Sequence, residues 1–331
     1  MNQPLVSVII PCYNEKDTIE ECILSVLNQK FPQGDFEILI IDGMSTDGTK
    51  NILDQIKSRY SNLRIIKSEK RFTPFALNMG IKESKGKFIT ILGAHSIYDP
   101  EFLCNNIKLF NEHPEISCSG GPIIHRGVNS FGKAVALAMS NPIGIGNAKH
   151  RFPDYEGYAE GAGFPTFKKE VFDNIGLYDE KFIKNQDDEL NFRLTKSGGK
   201  IYLSSRVKSI YFVRETVSEL FKQYFEYGFW RVAVIRKHKY PVSFRQLIPF
   251  LFFSSVILLS FLVLLVPGNY YFISLILPAI YLTILIISGV IIAFRFGYAT
   301  GIKFPLAVAV LQLSYALGFL KGLIYKKNIN N

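Results

Sequence analysis

The chain has 331 residues and a formal net charge of +10, and its hydrophobic content of 48% is uneven, because charge nearly disappears after Leu247. This basic balance is better explained by a membrane than by nucleic acid, since basic residues lie next to the apolar runs. The length allows one large domain or two smaller ones, and the four cysteines, which have no metal-ligand spacing, are interpreted as reduced, mostly buried thiols.

The first two thirds of the chain alternate predicted strands with predicted helices. Short apolar runs that end at turn residues predict strands at 5–10, 37–41, 63–66, 88–92, 115–125, 201–203 and 209–212. Apolar residues three and four apart, or capping residues, predict helices at 19–27, after Gly48 as far as Tyr60, at 75–84, 99–112 and 167–175. This alternation predicts an α/β fold with a parallel sheet and helices on both faces.

Polar side chains follow the predicted strands where these end. Asn14 and Glu15 follow the first strand, Asp42 and Asp47 the second, and His95 the fourth. Ligands bind at the carboxyl ends of the strands in sheets of this kind, so these residues form a candidate site. For Asp47 a helix N-cap is an equally good interpretation, because Asp-Gly pairs also mark turns.

Three adjacent carboxylates, Asp187, Asp188 and Glu189, open a further predicted helix that ends at Gly198-Gly199. Asp187 would lie in the first turn, at the positive end of the helix dipole, where it could take a proton from an incoming hydroxyl. Taken alone, the stretch is more typical of an ordinary acidic helix N-terminus. Only the rest of the chain favours a catalytic role.

Two further segments are predicted to be a functional loop and an amphipathic helix. Residues 141–165 are rich in Gly, Pro and aromatic residues without clear periodicity, which is typical of a functional loop or lid. Residues 216–238 form an amphipathic helix with basic residues toward its end. Two interpretations of this helix remain open. It lies in the membrane interface with Trp230 at headgroup level, or it packs on the preceding domain.

Apolar segments near the C-terminus predict about three membrane helices, at 247–266, 271–294 and 304–324. No signal peptide is expected, because the apolar run near the N-terminus is far too short. We therefore expect residues 1–215 to form a cytoplasmic domain, residues 216–245 a basic juxtamembrane helix and residues 246–325 a transmembrane region. The expected location is the cell membrane, with several spans.

The charge distribution supports this orientation but leaves the number of spans open. Residues 205–245 contain nine Lys or Arg and three Glu, which fits the positive-inside rule. Three full spans would place Lys326 and Lys327 outside, against that rule. Either the third segment is re-entrant or interfacial, or two charges are too few to matter.

Residues 6–15, Val-Ser-Val-Ile-Ile-Pro-Cys-Tyr-Asn-Glu, and residues 42–48, Asp-Gly-Met-Ser-Thr-Asp-Gly, together resemble the first strand and the uracil-binding turn of the family 2 glycosyltransferases. The resemblance covers roughly Val6 to Arg236. Within the family the chain is most similar to the succinoglycan-biosynthesis type with C-terminal membrane spans. This narrower match rests on residues 71–74, 76–80, 93–95 and 185–191. The resemblance implies a GT-A fold followed by a C-terminal transmembrane helical region.

The resemblance also implies an activity. The enzyme would be an inverting, hexosyl-transferring glycosyltransferase that takes a sugar from a nucleotide-diphosphate donor, with a UDP-sugar expected. Its acceptor would be held at the membrane, as a polyprenyl-linked glycan for surface polysaccharide or glycolipid synthesis. The implied donor-binding residues are Pro11, Tyr13, Asn14, Glu15, Asp42, Ser45, Arg71, Asn78, Gly93 and Ala94. For Asn78, orienting the loop is the alternative role.

Asp187 falls at the position of the family's catalytic base, and Asp188 is the second candidate. Gln186 stands where many members have Glu, and is assigned to the acceptor or its loop. Inversion needs one base that deprotonates the acceptor hydroxyl as it attacks opposite the leaving nucleotide. Asp42 is expected to accept a hydrogen bond from the uracil imide.

The chain departs from the family at the metal motif. Most members have Asp-x-Asp after the fourth strand, where this chain has Gly93-Ala94-His95. One imidazole can bind Mn²⁺, and Mg²⁺ less readily. A divalent metal, Mn²⁺ or Mg²⁺, is therefore implied by the resemblance but not by the residues. The alternative is that His95 donates directly to the diphosphate.

A second departure concerns polymer synthesis. Processive members carry Gln-x-x-Arg-Trp where this chain has Gln223-Tyr-Phe-Glu-Tyr227, so addition of a single sugar is favoured. Gln223 and Trp230 remain candidates for contact with the acceptor. A non-catalytic sugar-nucleotide-binding subunit stays an alternative, because the acidic metal motif is missing. A nucleotidyltransferase is a third possibility, although residues 11–16 lack its Gly-rich basic loop.

Overall fold

The computed structural model describes residues 3–241, 243–265 and 271–325. The chain divides into two compact units. The first contains residues up to Ile124 together with Lys149–Phe212, and the second contains His125–Ala148 and the residues from Val213 onward. Residues 125–148 thus belong with the C-terminal helices, which the sequence analysis did not predict.

The first unit is built on an eight-stranded mixed sheet with the order β3-β2-β1-β4-β9-β6-β10-β8. Its strands are β1 Val6–Cys12, β2 Phe36–Asp42, β3 Leu63–Lys67, β4 Phe88–Ile91, β6 Cys118–Gly120, β8 Gly157–Ala159, β9 Thr166–Lys168 and β10 Ile201–Leu203. Strands β3, β2, β1 and β4 run parallel, whereas β9 is antiparallel to both of its neighbours. A small second sheet pairs β5 (Ser96–Tyr98) antiparallel with β11 (Ser209–Phe212), next to β7 (Ile123–Arg126).

Helices cover both faces of the large sheet, as predicted. They are α1 Ile19–Leu27, α2 Thr49–Lys57, α3 Thr73–Glu83, α4 Phe102–Glu112, α7 Glu170–Ile175 and α8 Gln186–Lys196. Alternate residues of β1 enter different cores: Val8 packs with α1 and α4, and Ile9 packs with α3 and α8. Both faces of the central strands are therefore buried, which explains their continuous apolar runs.

Several predicted elements were wrong in their bounds or type; for example, the third apolar helix, predicted at 304–324, begins at Tyr298. Helix α4 begins at Phe102 rather than at Asp99, because the Asp99 side chain accepts from the Glu101 amide and forms a turn before the helix. The single strand predicted at 115–125 is two strands, β6 and β7. They are separated at Gly121-Pro122, where a Cβ on Gly121 would lie 1.8 Å from the Val207 carbonyl oxygen.

The first residues of the helix predicted at 167–175 form a strand instead. Residues 166–168 form β9, which pairs with β4 and β6, and only residues 170–175 are helical. The hydroxyls of Thr90 and Thr166 share a hydrogen bond of 2.9 Å across this pairing. Partners 76 residues away in sequence thus override the local helical pattern.

The second unit is helical. It contains α5 Ser130–Ala138, α6 Pro142–Ile145, α9 Val217–His238, a 3-10 turn Phe244–Leu247, α10 Ile248–Leu265, α11 Tyr271–Phe296 and α12 Tyr298–Ile324. Three of these, the α10 region, α11 and α12, are long and apolar enough to cross a membrane. Val266, at the end of the first predicted span, lies outside the described residues.

Helix α12 is the centre of this unit. It packs against α5, α9, α10 and α11. The approach to α9 is close, since a Cβ on Gly228 would lie 2.0 Å from the Tyr315 carbonyl oxygen. Helix α9 thus packs against α12, the third apolar helix. Neither interpretation of the α9 sequence included this contact.

Candidate functional site

Two loops at the carboxyl ends of β1 and β2 are tied together by hydrogen bonds. The Asn14 amide donates to Ser45 Oγ at 2.9 Å, and Asn14 Oδ1 accepts from the Thr46 amide at 2.8 Å. The Gly43 amide donates to the Cys12 carbonyl at 2.8 Å. Asn14 adopts a left-handed backbone, with φ of 55°, to make these contacts. The two sequence motifs therefore form one cradle.

Asp42 lies buried in this cradle, at the last position of β2. Its Oδ1 accepts from Ser45 Oγ at 2.6 Å and from the Ser45 amide at 3.2 Å, so the orientation of the carboxylate is fixed. Burial, reinforced by the charges of Asp42 and Glu15, raises the pKa of the Cys12 thiol well above its usual range. The thiol therefore stays neutral beside the carboxylates.

Asp47 fastens the cradle to helix α2. Its Oδ1 accepts from the Thr49 amide at 3.0 Å and from Thr49 Oγ1 at 2.6 Å, and its Oδ2 accepts from the Lys16 amide at 3.2 Å. The bond from the Thr49 hydroxyl lowers the pKa of Asp47. The N-cap of α2 is Gly48, so the capping interpretation of Asp47 was wrong, and its bond to the Thr49 amide two residues further on is that of a turn.

Basic and aromatic groups lie beside the cradle. Arg71 Nη1 donates to the Tyr13 hydroxyl at 3.3 Å, and its guanidinium carbon lies 5.7 Å from the centre of the Tyr13 ring. Gly43 permits this approach, because a Cβ there would lie 3.0 Å from the Arg71 Cα. Pro11 lies within β1, in register with Ile41 of β2. A cationic side chain thus lies beside the cradle, next to Tyr13.

His95 lies in the loop after β4 and contacts Glu15. Its Nδ1 is 3.2 Å from Glu15 Oε1, and its ring meets the Tyr211 ring edge-on at 5.5 Å. Gly93 and Ala94 precede it, and a Cβ on Gly93 would lie 3.1 Å from the Phe164 ring. The contact with Glu15 fixes the orientation of the imidazole.

A metal ion at His95 would need further ligands from neighbouring side chains. Among the described residues, no group of three or more His, Cys, Asp or Glu side chains is arranged to hold a metal ion. His95 and Glu15 contribute one nitrogen and one carboxylate that already contact each other, whereas Mg²⁺ and Mn²⁺ prefer several oxygen ligands. The chain's own groups do not fit a resident metal site, and the metal requirement stays a prediction.

Helix α8 carries the acidic stretch, with Asp187 and Asp188 in its first turn as predicted. Glu189 has a different role from theirs, because it is fully buried and its carboxylate pairs with Arg193 at 2.8 Å. The same guanidinium donates to the carbonyl oxygens of Ile175, Gly176 and Leu177, at the end of α7. The spacing of four residues between Glu189 and Arg193 was the sequence signal for this pair, and the sequence analysis missed it.

Asn78 joins helix α3 to the segment before α8. Its side chain donates to the Tyr178 carbonyl and accepts from the Tyr178 amide, each at 2.9 Å, and it also donates to Glu180 at 3.1 Å. Burial and then the nearby charge of Asp187 raise the pKa of the Tyr178 phenol. These bonds fit the alternative role of Asn78 in orienting the loop, close to the predicted base.

The remaining candidates lie in different surroundings. Gln186 is the first residue of α8, after Asn185 with a left-handed φ of 57°. Gln223 and Trp230 lie on α9 of the second unit, where Gln223 Nε2 donates to the Tyr227 hydroxyl at 3.3 Å and Trp230 is buried. The first unit therefore brings together the candidates of the β1, β2 and β4 loops, whereas the two acceptor candidates of α9 belong to the other unit.

Comparison with known proteins gives two kinds of likeness. The model of the glycosyl transferase family 2 matches residues 7–176. A dolichyl N-acetyl-alpha-D-glucosaminyl phosphate 3-beta-D-2,3-diacetamido-2,3-dideoxy-beta-D-glucuronosyltransferase of Methanococcus voltae is 30% identical over 329 residues, which cover 96% of this chain and 97% of that protein. The succinoglycan biosynthesis protein ExoA of Rhizobium meliloti is 29% identical over 73% of each chain.

Solved structures share the fold. The mannosyltransferase PcManGT from Pyrobaculum calidifontis, in complex with GDP-Man and Mn²⁺, superposes with a TM-score of 0.61 at 18% identity over 98% of this chain and 89% of that one. A fragment of S. aureus TarS bound to UDP-GlcNAc gives a TM-score of 0.51 at 18% identity, over 67% of this chain and 65% of that one. At this identity the two likenesses show the fold alone.

Proposed function

We propose that this chain, which belongs to glycosyl transferase family 2 and is a glycosyltransferase, moves a sugar from a nucleoside-diphosphate donor to an acceptor held at a membrane. The observation that carries the proposal is the cradle at the ends of β1 and β2. It fixes the Asp42 carboxylate through Ser45 and has the Arg71 guanidinium beside Tyr13. A nucleotide needs a fixed acceptor for its base and positive charge for its diphosphate.

The donor is a UDP-sugar in this proposal. The imide N–H of uracil can donate a hydrogen bond to a carboxylate, and Asp42 supplies that carboxylate. Arg71 faces the diphosphate and opposes the negative charge that develops on it as the bond to the sugar breaks. His95, oriented by Glu15, either donates a hydrogen bond directly to the diphosphate or binds a metal ion that holds the diphosphate.

Transfer proceeds with inversion. The acceptor oxygen bonds to the anomeric carbon, the bond from that carbon to the β-phosphate oxygen breaks, and the nucleoside diphosphate leaves with the electron pair. Asp187, in the first turn of α8, takes the proton of the acceptor hydroxyl. Asp188 is the second candidate for this role. The Glu189–Arg193 pair holds the start of α8 in position without contacting substrate.

The acceptor is a polyprenyl-linked glycan at the cytoplasmic face of the cell membrane, and the product serves a surface polysaccharide or a glycolipid. The apolar C-terminal helices support membrane attachment. The Methanococcus relative is named for a dolichyl phosphate-linked acceptor, which supports the lipid-linked class. One sugar is added per acceptor, since Glu226 stands where processive members have Arg.

Donor hydrolysis and lipid labelling test the proposal. Membranes that contain the chain are given radiolabelled UDP-glucose, UDP-galactose, UDP-N-acetylglucosamine and GDP-mannose in turn, with Mg²⁺, Mn²⁺ or EDTA. We expect label from one UDP-sugar in the extracted lipid. Asp187→Asn should lower transfer about 10²- to 10⁴-fold, the usual contribution of a general base, and keep donor binding. Asp173→Asn, at an exposed carboxylate of α7, is the matched control and should keep full activity.

Two outcomes would count against the proposal. Donor binding by calorimetry with no transfer from any donor to any lipid would favour a non-catalytic sugar-nucleotide-binding subunit. Equal activity of Asp187→Asn and the wild type would move the base to Asp188. Transfer that persists in EDTA would assign His95 as a direct donor, and loss in EDTA restored by Mn²⁺ would assign it to a metal.

A further inference from the structure

The net charge of the chain is concentrated in its last third. The chain has 38 Lys and Arg and 28 Asp and Glu. Ten of the basic residues follow Glu226, whereas no acidic residue follows it, so residues 1–226 contain 28 residues of each sign. Residues 227–331 therefore carry the whole formal charge of +10, and they contain no carboxylate side chain that could balance it.

The carboxylates of the second unit lie at the start of α9 or near its middle. They are Glu215, Glu219 and Glu226. Glu215 accepts from the amides of Val128 and Asn129, next to the start of α5. Glu219 accepts from the Thr216 hydroxyl at 2.8 Å, at the N-terminus of α9. These two carboxylates thus bond to groups at the N-termini of helices.

The opposite end of α9 is basic. Arg236 and Lys237 lie in its last turn and Lys239 is its C-cap, and all three side chains are exposed. Glu226, the nearest carboxylate in sequence, precedes Arg236 by ten residues, or about 15 Å of helix. This distance exceeds the Debye length of about 8 Å at physiological ionic strength. The charges of the α9 C-terminus are therefore not balanced from within their own helix.

The last turns of α12 add to this basic end. Arg236 donates to the carbonyl oxygens of Leu323 at 2.8 Å and Tyr325 at 3.1 Å, which joins the C-termini of the two helices. Lys321, which is exposed, has its Nζ 5.5 Å from the centre of the Phe225 ring on α9. We call the four cationic residues along this junction the basic rim. They are Arg236, Lys237, Lys239 and Lys321.

The basic rim lies beside the point at which α10 begins. The ring of Phe250, the third residue of α10, is 4.8 Å from the ring of Phe319, two residues before Lys321. Helix α10 is apolar enough to cross a membrane, and none of its described residues is buried. Exposed tyrosines, which favour the membrane interface, adjoin the rim at Tyr240 and Tyr325. The rim is thus at the level of the lipid headgroups wherever α10 enters a bilayer.

We propose that the basic rim binds the headgroups of anionic phospholipids in the leaflet that α10 enters. These phosphates supply the negative charge that residues 227–331 lack, whereas the choline of a zwitterionic lipid cancels the charge of its phosphate. The diphosphate of a lipid-linked acceptor shares the chemistry of these headgroups. The rim, however, extends along α9 from the level of Phe225 to Lys239, about 21 Å. This length fits several headgroups rather than one diphosphate.

Energy transfer from the only tryptophan of the chain measures the lipids around the rim. Trp230 precedes Arg236 on α9 by six residues, or about 9 Å. The full-length protein is placed in phosphatidylcholine vesicles with a trace of pyrene-labelled phosphatidylglycerol or pyrene-labelled phosphatidylcholine. We expect at least about fivefold enrichment of the anionic label, since each basic residue at a membrane surface contributes about that factor. The enrichment should disappear near 1 M salt, where the Debye length is about 3 Å.

Two triple variants separate the rim from net charge. The rim variant replaces its three lysines and keeps Arg236, whose bonds hold α12; the changes are Lys237→Gln, Lys239→Gln and Lys321→Gln. The matched control removes the same charge from exposed sites of the first unit, by Lys50→Gln, Lys57→Gln and Lys82→Gln. We expect the rim variant to lose the enrichment and the control to keep it.

Three results would overturn the proposal. The first is equal loss of enrichment in the two triple variants, which would show that only net charge matters. The second is the absence of any preference for phosphatidylglycerol in wild-type protein that has entered the vesicles. The third is enrichment of a pyrene-labelled polyprenyl diphosphate alone, which would assign the rim to the acceptor.

The inference rests on the proposed membrane attachment but not on catalysis. Flotation with pure phosphatidylcholine vesicles separates the two, because α10 should hold the protein in them without anionic lipid. A protein that fails to float would refute membrane attachment itself and the lipid site with it. An inactive enzyme that shows the expected enrichment would refute only the proposed reaction.

Discussion

At the scale of single residues, backbone strain concentrates in the candidate site. Four non-glycine residues among the described ones have positive φ, and three of them, Asn14, Met44 and Asn185, lie in the loops that follow β1 and β2 or precede α8. The fourth is Lys239, at the C-terminus of α9. A left-handed backbone costs about 1–2 kcal/mol outside glycine, so such positions persist where the surroundings or the function require them.

Met44 gives a prediction at this scale. Its side chain is 54% exposed in the turn that follows Asp42. In the proposed complex with a UDP-sugar, this side chain packs on the base. Met44→Gly relieves the strain, and we expect unchanged or slightly higher thermal stability. We also expect the dissociation constant of UDP to rise about tenfold, since about 1.4 kcal/mol of apolar contact is lost.

Calorimetry with UDP and thermal melting in detergent check both halves of this prediction. Lys239→Gly is the matched control, because it relieves the same kind of strain in the other unit. It should raise the melting temperature without changing UDP affinity. Equal UDP affinity in Met44→Gly and the wild type would contradict a donor contact for Met44 and leave its strain without a functional reason.

At the scale of elements, the orientation of α8 depends on a buried ion pair. Glu189 is fully buried, and Arg193 links it to three carbonyl oxygens at the end of α7. Removal of one partner from such a pair leaves an uncompensated buried charge, which costs about 3–5 kcal/mol. We therefore expect Arg193→Met to lower the free energy of unfolding by that amount and to lower transfer by displacing Asp187.

The contrast with an exposed pair makes this prediction specific. Arg206 pairs with Glu112 through two nitrogens, but the side chains are 47% and 43% exposed. Arg206→Met should cost about 1 kcal/mol or less in denaturant unfolding. The double variant Glu189→Leu with Arg193→Met should recover part of the lost stability, because it removes the buried charge. Equal losses in the two Arg variants would contradict the role assigned to Arg193.

The same elements show what the sequence could and could not predict. Helix α1 was predicted from its apolar face and α8 with its acidic first turn, because apolar periodicity and acidic residues at a helix start are local signals. Strand β9 was missed because its partners β4 and β6 are distant in sequence. The two motifs of the cradle were recognised from the sequence. The different environments of Asp187, Asp188 and Glu189 could not be predicted, because only burial in the structure separates Glu189 from its neighbours.

At the scale of the whole molecule, membrane attachment and the integrity of the helical unit rest on different elements. Helix α10 exposes apolar side chains along its length, and none of its described residues is buried. Helix α12 instead packs against five other helices of its unit, α5, α6, α9, α10 and α11. A substitution that breaks the packing around α12 should therefore leave membrane attachment intact.

Gly228→Leu tests this separation. Its Cβ would lie 2.0 Å from the Tyr315 carbonyl oxygen and 2.9 Å from the Phe319 amide, both backbone atoms that cannot move aside. We expect α9 to leave α12, with a loss of about 3 kcal/mol or more. Trypsin should then cleave faster after Arg236 and Lys237, while the protein stays in the membrane fraction because α10 and α11 are untouched.

Ser218→Leu, at an exposed position of the same helix, is the control for added bulk and should cleave at the wild-type rate. Release of Gly228→Leu into the soluble fraction would contradict membrane attachment through the apolar helices. Retention together with fast cleavage would show that the contact between α9 and α12 holds the helical unit together without being needed for attachment.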